Sequence, residues 1–400
     1  MSEAPWLTII GLGEDGPDGL TGASRAALEV AEIVIGPPRH LALLGPLQAE
    51  TIAWPVPFAE GIPLLMAHRG RQVVALASGD PFWFGAGSVL VRDLAPGEWR
   101  AFPGVSTFAL AAARLGWPLE ATPCLGLHAA PLDRLRPVVA PGVRALVLLR
   151  DGAAVAALAE WLARQGFGDS RLHVLEALGG PRERVRTATA QGFALADIAH
   201  PVCAGVDVVG QGRVLALATG RTDDWFDHDG QITKRPVRAL TLSALAPCRG
   251  EHLWDIGAGS GSVAIEWLLA GPDLTATAIE ADPARAARLM GNAARFGVDH
   301  RLRLVEDRAP EALAGLAPPE AVFIGGGLSA GLLDTLWAAM PPGARLVANA
   351  VTLESEALLA QWQADKGGDL LRIELAEAAP LGRRRGWRSA YPIMQWSVLR

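Results

Sequence analysis

The chain has 400 residues, of which 50% are hydrophobic, with a formal net charge of -6 and a pI of about 5.8. At roughly 150 residues per domain, this length predicts two or three domains with sizeable cores. The acidic balance argues against a general nucleic-acid binder, because such proteins carry a basic excess that neutralises phosphates.

The cysteines and histidines indicate a reducing compartment and no metal site. Cys124, Cys203 and Cys248 are far apart, form no C-x-x-C pair, and are accompanied by eight histidines without metal-ligand spacing. The N-terminal sequence lacks the basic and long apolar regions of a signal peptide. No apolar run reaches the roughly 18 residues that a membrane span requires. We therefore expect a cytoplasmic protein without a membrane anchor.

The first part of the chain alternates strands with alanine-rich helices, which predicts a parallel α/β lobe over about residues 1–118. Apolar runs that end in glycine indicate the strands, and amphipathic stretches behind a serine or threonine N-cap indicate the helices. The predicted elements are strands over 6–13 and 73–81 and helices over 22–32, capped by Thr21, and 106–116.

Over about residues 119–218 the strands outnumber the helices, which predicts a second lobe with a mixed sheet. Its predicted elements are strands over 144–152, 171–179, 183–192 and 201–210 and a helix over 153–166. The segment 219–231 is polar, acidic and rich in turn residues. We interpret it as a linker between a domain of residues 1–218 and a domain of residues 232–400.

The third region, residues 232–400, predicts a Rossmann-like α/β domain with a mostly parallel sheet of seven strands. The strand candidates are 251–257, 275–282, 301–307, 321–327, 344–350, 370–378 and 391–399. Helices fit between most of them, for example over 282–297. The last two candidates have no helix between them, which predicts a terminal antiparallel pair.

The segment HLWDIGAGSGSVAIEW, residues 252–267, carries the strongest ligand signal. A strand that ends in Gly257, Gly259 and Gly261 and then opens a helix presents free backbone N–H groups to a ligand. Glu280, at the end of the next strand, is placed to accept hydrogen bonds from ribose hydroxyls. The turn therefore predicts a nucleotide-like cofactor.

The spacing of the turn favours S-adenosylmethionine (SAM) over NAD. A dinucleotide fingerprint would have its third glycine at Ser262, whereas this chain has it one position earlier, at Gly261. Asp255, just before the turn, would repel a pyrophosphate but suits the ammonium group of a methionine moiety.

Three further segments accompany this turn: QITKRPVRALTLSAL (231–245), EDRAPEAL (306–313) and VFIGGG (322–327). Together they resemble the class I SAM-dependent methyltransferases, and within them the decarboxylating precorrin methyltransferases that act on carbon 15. The loop GGGL (325–328) lacks the Asn/Asp-Pro-Pro-aromatic clamp of N-methylating enzymes in this class. The resemblance implies that SAM is bound by Thr233, Asp255, Gly257, Ala258, Gly259, Ser260, Gly261, Glu280, Asp307 and Ala309.

Three segments of the first half form a second set: GLGEDGPDGLT (11–21), ASGDPFWFG (77–85) and PGVSTFALAAARLGW (103–117). Their order and spacing resemble the tetrapyrrole methylase family, a two-lobed α/β fold that binds SAM in the cleft between its lobes. This chain departs from the family's first turn, because Glu14 and Asp15 replace a Pro-Gly pair. The resemblance implies a SAM site at Gly11, Ser78, Gly79, Asp80, Ser106 and Thr107.

The fusion of the two domains resembles the bifunctional, decarboxylating precorrin methyltransferases of cobalamin (vitamin B12) biosynthesis. This resemblance implies one SAM per domain and conversion of precorrin-6B to precorrin-8. The N-terminal domain would methylate carbon 5, and the C-terminal domain would methylate carbon 15 and release CO2 from the ring C acetate. It also implies a tetrapyrrole substrate, no nucleic-acid or membrane partner, and a homo-oligomer.

The carboxylates of such a substrate call for cationic side chains. One candidate cluster is Arg383, Arg384, Arg385 and Arg388, in a predicted loop before the last strand, and the other is Lys234, Arg235 and Arg238. His228 and Asp307 are candidates for the proton donor in the decarboxylation.

Three other interpretations remain open on the sequence. The Gly257 turn could serve an NAD-dependent oxidoreductase. The chain could be a nucleic-acid (rRNA) methyltransferase with an appended domain. One of the two SAM sites could be vestigial, and Glu14 and Asp15 make the first site the better candidate for that.

Overall fold

The computed structural model describes residues 5–400, which form two compact units. The first unit comprises the residues up to Leu132 and Val138–Arg213, and the second comprises Asp133–Pro137 and Val214–Arg400. Both have the α/β architecture expected from the sequence. Within the described residues, no helix combines the length and the apolar character needed to cross a bilayer.

Over the described residues, the first unit contains ten strands and six α-helices. The strands are β1 (Leu7–Leu12), β2 (Ile33–Gly36), β3 (Glu50–Ala53), β4 (Val73–Ser78), β5 (Trp99–Phe102), β6 (Cys124–Gly126), β7 (Arg144–Leu149), β8 (Arg171–Glu176), β9 (Arg184–Thr189) and β10 (Val202–Asp207). The helices are α1 (Gly22–Glu29), α2 (Pro38–Leu44), α3 (Gly61–Met66), α4 (Gly87–Leu90), α5 (Thr107–Leu115) and α6 (Gly152–Arg164).

Two five-stranded sheets organise this unit. The first is parallel throughout, in the order β3-β2-β4-β1-β5. The second, in the order β6-β7-β10-β8-β9, is antiparallel except for β6 and β7. Strand β1 is buried at every position, as expected of an apolar strand covered on both faces. The predicted Thr21 cap is present, because its side chain accepts from the N–H of Ser24. Ser106, expected as the first residue of a helix, instead caps α5 by accepting from the N–H of Ala109.

The second unit contains the remaining nine strands and five α-helices of the described chain. The strands are β11 (His252–Ile256), β12 (Thr275–Ile279), β13 (Leu302–Val305), β14 (Ala321–Ile324), β15 (Arg345–Ala350), β16 (Asp369–Ile373), β17 (Ala376–Leu381), β18 (Arg384–Ser389) and β19 (Ile393–Leu399). The helices are α7 (Arg235–Leu245), α8 (Ser262–Ala270), α9 (Pro283–Arg295), α10 (Ala330–Ala339) and α11 (Leu353–Lys366).

Seven of these strands form one sheet, in the order β13-β12-β11-β14-β15-β19-β16. The first five are parallel, and β19 runs antiparallel to both of its neighbours. From β11 the chain continues to β12 and β13 on one side of the sheet, and from β14 it continues to β15 on the other side. The order of the strands therefore reverses between β11 and β14, which is where open α/β sheets bind ligands at the strands' carboxyl ends.

One element of this unit was not predicted. Strands β17 and β18 pair as a separate two-stranded hairpin where the sequence suggests the end of a strand and a loop. Residues 376–378, assigned to the preceding strand candidate, belong to this hairpin. Most of its residues are exposed on both faces. A strand with one buried face shows alternating apolar and polar residues. Because neither face of this hairpin is buried, its sequence lacks that alternation, and the two strands could not be predicted from it.

The segment proposed as a linker packs within the second unit. The backbone N–H groups of Gly220 and Arg221 donate to Glu266 at 2.6 and 2.9 Å. Phe226 is buried, and its ring centroid lies 5.0 Å from that of Phe296. The polar composition of 219–231 gives no indication of these contacts, because their partners, Glu266 and Phe296, are distant in sequence.

Candidate functional site

The second unit has a cavity of about 1240 Å³ at the carboxyl ends of its central strands. It is lined by the turn after β11, by the end of β12 and by the glycine-rich turn after β14. The site therefore lies at the reversal of strand order. Residues from the sequence-predicted set that line it are Thr233, Lys234, Gly257, Ala258, Gly259, Ser260, Glu280, Asp307 and Ala309.

The three glycines of the turn have different tasks. All three have positive φ, at +67°, +57° and +75°, which L-residues rarely adopt. A Cβ on Gly257 would lie 2.7 Å from the backbone N of Gly326, and one on Gly261 would lie 2.6 Å from Leu289. A Cβ on Gly259 would meet only the carbonyl oxygen of Gln231, at 3.8 Å. Gly257 and Gly261 thus allow close packing, whereas Gly259 keeps the cavity open.

Glu280 is fixed at the edge of this turn. Its Oε2 accepts from the N–H of Gly259 at 2.8 Å, and its Oε1 accepts from the N–H of Asp282 at 2.9 Å. The side chain is nearly buried, yet it lines the cavity. A carboxylate held in this way can accept further hydrogen bonds from a pair of hydroxyl groups, as the sequence predicts for a ribose.

Asp255 lies behind the turn and does not line the cavity. Its Oδ2 accepts from the N–H of Ala264 at 3.0 Å, and its Oδ1 is buried without a hydrogen-bond partner among residues 5–400. Burial, with a smaller contribution from the nearby Glu280 carboxylate, raises the pKa of Asp255 to about 7. A cationic ligand group in the turn would favour the ionised form.

This burial predicts a pH-dependent loss of stability. Since the pKa of Asp255 is raised in the folded state, its favourable contribution is complete below about pH 4 and is lost as the pH rises to about 7. We expect Asp255→Asn to remove this loss and to raise the free energy of unfolding above pH 7 by roughly 2–4 kcal/mol. Denaturant unfolding of the unaltered chain and of Asp255→Asn, from pH 4 to 8, measures this difference in the free energy of unfolding. A difference that stays constant over that range would contradict it.

Other predicted residues lie outside the cavity. Gly261 supports the turn from behind, and Arg235 begins helix α7 without lining the cavity. His228 is also outside, with its Nδ1 accepting from the N–H of Gly230 at 3.0 Å. Of the two candidate proton donors, only Asp307 lines the cavity, and its Oδ1 accepts from the N–H of Arg308 at 2.7 Å.

Arg238 is not available to a substrate. Its side chain is fully buried, and its Nε donates to Glu266 at 2.8 Å. Nη1 also donates to Asp223 at 3.1 Å, and Nη2 donates to the carbonyl of Arg221. A buried carboxylate 28 residues away in sequence therefore makes this arginine a structural ion pair, contrary to the prediction from its neighbours Lys234 and Arg235.

The other arginine cluster lies on the hairpin. Arg384, Arg385 and Arg388 belong to β18, Arg383 precedes them in the turn, and all four are exposed and absent from the cavity wall. Cationic residues that do line the cavity are Lys234, Arg285 and Arg308. Of these three, only Lys234 was expected from the sequence to bind a carboxylate, although Arg308 lies within the segment EDRAPEAL (306–313).

Asn349 is a further cavity residue that the sequence did not indicate. Its Nδ2 donates to Thr241 Oγ1 at 3.0 Å, and its Oδ1 accepts from Gln395 Nε2 at 3.0 Å. Gln395 Nε2 also donates to Thr241 at 3.1 Å, and both partners are buried. This network joins α7, β15 and β19 and fixes the amide at the carboxyl end of β15, where it lines the same cavity as Glu280.

The first unit has a separate cavity of about 400 Å³. Of the residues expected to bind SAM in this unit, Ser78, Gly79 and Thr107 line it. Gly11, Asp80 and Ser106 support it instead. A Cβ on Gly11 would lie 1.8 Å from the carbonyl oxygen of Gly79. Asp80 accepts from the N–H of Phe82 at 2.9 Å, and Ser106 caps α5.

Several basic side chains that no sequence motif indicated also line this cavity. They are Arg39, His40, His128, Arg150 and His200, which come from well-separated parts of the chain. Burial, together with the positive charge of Arg39, lowers the pKa of His40 to about 4. His40 is therefore neutral at physiological pH, and the permanent positive charge at this cavity belongs to the arginines.

Comparison with known proteins agrees with this division. Residues 6–194 match the family model of tetrapyrrole (corrin/porphyrin) methylases, and residues 224–400 match that of a precorrin methyltransferase domain. A Sinorhizobium protein named precorrin-6Y C(5,15)-methyltransferase (decarboxylating) is 51% identical over 98% of this chain and 96% of its own length. A Mycobacterium tuberculosis protein of the same name is 42% identical over 98% and 99%.

Among solved structures, the C-terminal domain of the Rhodobacter capsulatus precorrin-6Y C5,15-methyltransferase is 56% identical. The match covers 46% of this chain and all of that domain, with a TM-score of 0.45.

Proposed function

The chain belongs to the precorrin-6Y C(5,15)-methyltransferases (decarboxylating), and we propose that it uses one SAM in each unit to methylate carbons 5 and 15 of a precorrin-6 substrate in cobalamin biosynthesis. The first unit methylates carbon 5. The second unit methylates carbon 15 and releases CO2 from the ring C acetate, which yields precorrin-8. The observation that carries this proposal is the presence of two separate cavities, one in each unit, each lined by a glycine turn.

The residues of the second cavity fit SAM. The open space at Gly259, the Glu280 carboxylate beside it and the unpartnered Asp255 oxygen behind the turn match a nucleoside with an attached ammonium group. Gly257, Ala258 and Ser260 supply the turn, and Thr233, Asp307 and Ala309 complete the wall. When bound, SAM supplies an electrophilic methyl group on a sulfonium.

In the first unit, Ser78, Gly79 and Thr107 offer backbone groups to SAM from one wall of the cavity. The task of both units is to hold an electron-rich meso carbon in line with the methyl group, at about 3–3.5 Å. The decarboxylation further requires that the electron pair released with CO2 enters the conjugated ring. The cations and the oriented amide of Asn349 are the groups that fix the substrate in the second cavity.

We expect Lys234 and Arg308, rather than the hairpin arginines, to bind substrate carboxylates at the second cavity. Lys234→Ala and Arg308→Ala should each raise the KM for carbon-15 methylation about fivefold or more, because each removes a charged hydrogen bond. Replacing Arg383, Arg384 and Arg385 together with alanine should leave this KM within about twofold, since these side chains are exposed and outside the cavity. If the KM for carbon-15 methylation rose only in the triple variant, the hairpin arginines, and not Lys234 and Arg308, would be the carboxylate-binding residues.

The direct test of the function uses the full chain with precorrin-6Y and [methyl-13C]SAM. The proposal expects two labelled methyl groups, on carbons 5 and 15, and one CO2 per substrate. Labelling of carbon 15 alone would refute the role of the first unit and leave the second unit's function intact.

A further inference from the structure

Glu14 stands in the first turn of the chain, at a position where the pattern that the turn resembles has proline, and in the structure it is held between two arginines. The Glu14 side chain is only 5% exposed and lies between two arginines. Its Oε1 pairs with Arg39 Nη1, and its Oε2 accepts from Arg182 Nη2 at 2.9 Å. Arg39 belongs to α2 beside the parallel sheet, whereas Arg182 lies between β8 and β9 of the other sheet. Glu14 therefore connects elements of both sheets of the first unit.

The backbone around Glu14 is held as closely as its side chain. A Cβ on Gly180 would lie 2.6 Å from both the Cβ and the carbonyl oxygen of Glu14. The turn that carries Arg182 thus packs directly on the turn that carries Glu14. Asp15, the neighbouring departure, has a different surrounding: a Cβ on Gly19 would lie 2.2 Å from its carboxylate. Asp15 is exposed and lies against Gly19 of its own turn, so that of these two acidic residues it is Glu14 that pairs with Arg39 and Arg182.

Arg39 is oriented on more than one side. Besides its pair with Glu14, its Nη2 donates to Ser78 Oγ at 3.3 Å and to His40 Nε2 at 2.8 Å. Its side chain remains 28% exposed and lines the cavity, as Glu14, Ser78 and Arg150 also do. One carboxylate between two guanidinium groups leaves a surplus positive charge, whereas Arg150 is already paired with Asp151 at 2.8 Å. A fixed guanidinium with surplus charge is suited to bind a carboxylate.

We propose that Glu14 is a positioning residue that holds Arg39 in place to bind a carboxylate of the precorrin at the carbon-5 site. This inference rests on the proposed function of the first unit. Glu14 does not contact the reacting atoms. Its negative charge and fixed place set the direction of the Arg39 guanidinium. Because Arg39 is already ordered, substrate binding does not carry the entropy cost of ordering this side chain.

The test is Glu14→Gln in the full chain, which retains the shape and removes the charge. We expect the KM of carbon-5 methylation to rise about tenfold, with kcat within about twofold and the KM at carbon 15 unchanged, because a charged pair that orients the binding arginine is lost. Arg39→Lys should raise the same KM, because lysine cannot pair with a carboxylate through two parallel hydrogen bonds.

Glu176→Gln is the matched control. Glu176 is also buried between two arginines of this unit, with Arg184 Nη2 at 2.6 Å and Arg186 Nε at 3.0 Å, but it does not line the cavity. The control should leave the carbon-5 KM unchanged. An unchanged KM in both Glu14→Gln and Arg39→Lys, or an equal rise in Glu176→Gln, would overturn the role of Glu14. Absence of carbon-5 methylation in the unaltered chain would instead refute the proposed function.

Discussion

Replacing Glu280 with alanine is expected to abolish methylation at carbon 15 and release of CO2 while methylation at carbon 5 continues. The Glu280 carboxylate lines the second cavity and is fixed by the N–H groups of Gly259 and Asp282. If it accepts both ribose hydroxyls of SAM, its removal deletes two hydrogen bonds to a charged acceptor. At about 1.5–3 kcal/mol each, this loss corresponds to at least about a 100-fold weaker SAM affinity in that unit.

The measurement is the position of 13C label in the product made from precorrin-6Y and [methyl-13C]SAM. Glu320→Ala is a suitable control, because Glu320 also accepts a backbone N–H, from His252 at 2.7 Å, but at the amino end of β11, away from the cavity. This control should leave both methylations intact. Carbon-15 methylation that survives Glu280→Ala at low SAM concentration would contradict the assignment of Glu280.

Gly79→Val is expected to have the complementary effect, abolishing methylation at carbon 5 while carbon-15 methylation and CO2 release continue. Gly79 has a φ of +51°, and a Cβ there would lie 2.9 Å from the carbonyl oxygen of Val105 and 3.1 Å from Ser106 Cα. These neighbours are backbone atoms, so the cavity wall itself must move. A displacement of about 1 Å in a methyl-transfer site is sufficient for a 100-fold loss of rate.

The matched control for Gly79→Val is Gly116→Val. Gly116 also has a positive φ, at +65°, but a Cβ there meets nothing within 4 Å and the residue does not line the cavity. Both variants carry the backbone cost of a side chain at positive φ, about 1 kcal/mol or more. Only Gly79→Val should lose carbon-5 methylation. Equal losses in both variants would show that stability, and not the cavity, is affected.

Local sequence signals predicted much of the fold. Several elements are formed by residues that are adjacent in the chain, so their signals can be read from a short stretch of sequence. They are the buried apolar run of β1, the helix starts at Thr21 and Ser106, and the strand–turn–helix at Gly257. The exposed hairpin β17–β18 lacks such a signal, because neither of its faces is buried. Its arginines were therefore placed in a loop.

The candidate sites could be predicted only as far as their motifs extend. Glu280 and Gly259 follow a recognisable spacing, whereas Arg39, Arg150 and Asn349 reach their cavities only through the fold. Arg238, by contrast, is predicted as a substrate-binding residue but is not one that a substrate can reach. Beside Lys234 it resembles a surface cation, but Glu266, on the next helix, buries it in an ion pair. Contacts between residues distant in sequence decide such cases, and a single sequence does not contain them.

The measurement that tests the two-site mechanism most directly is calorimetric titration of SAM into the full chain, Glu280→Ala, Gly79→Val and the double variant. Two cavities with independent cofactor contacts predict two SAM sites in the unaltered chain, one in each single variant and none in the double variant. A single SAM site in the unaltered chain, or loss of both sites through either substitution alone, would contradict a mechanism with one SAM in each unit.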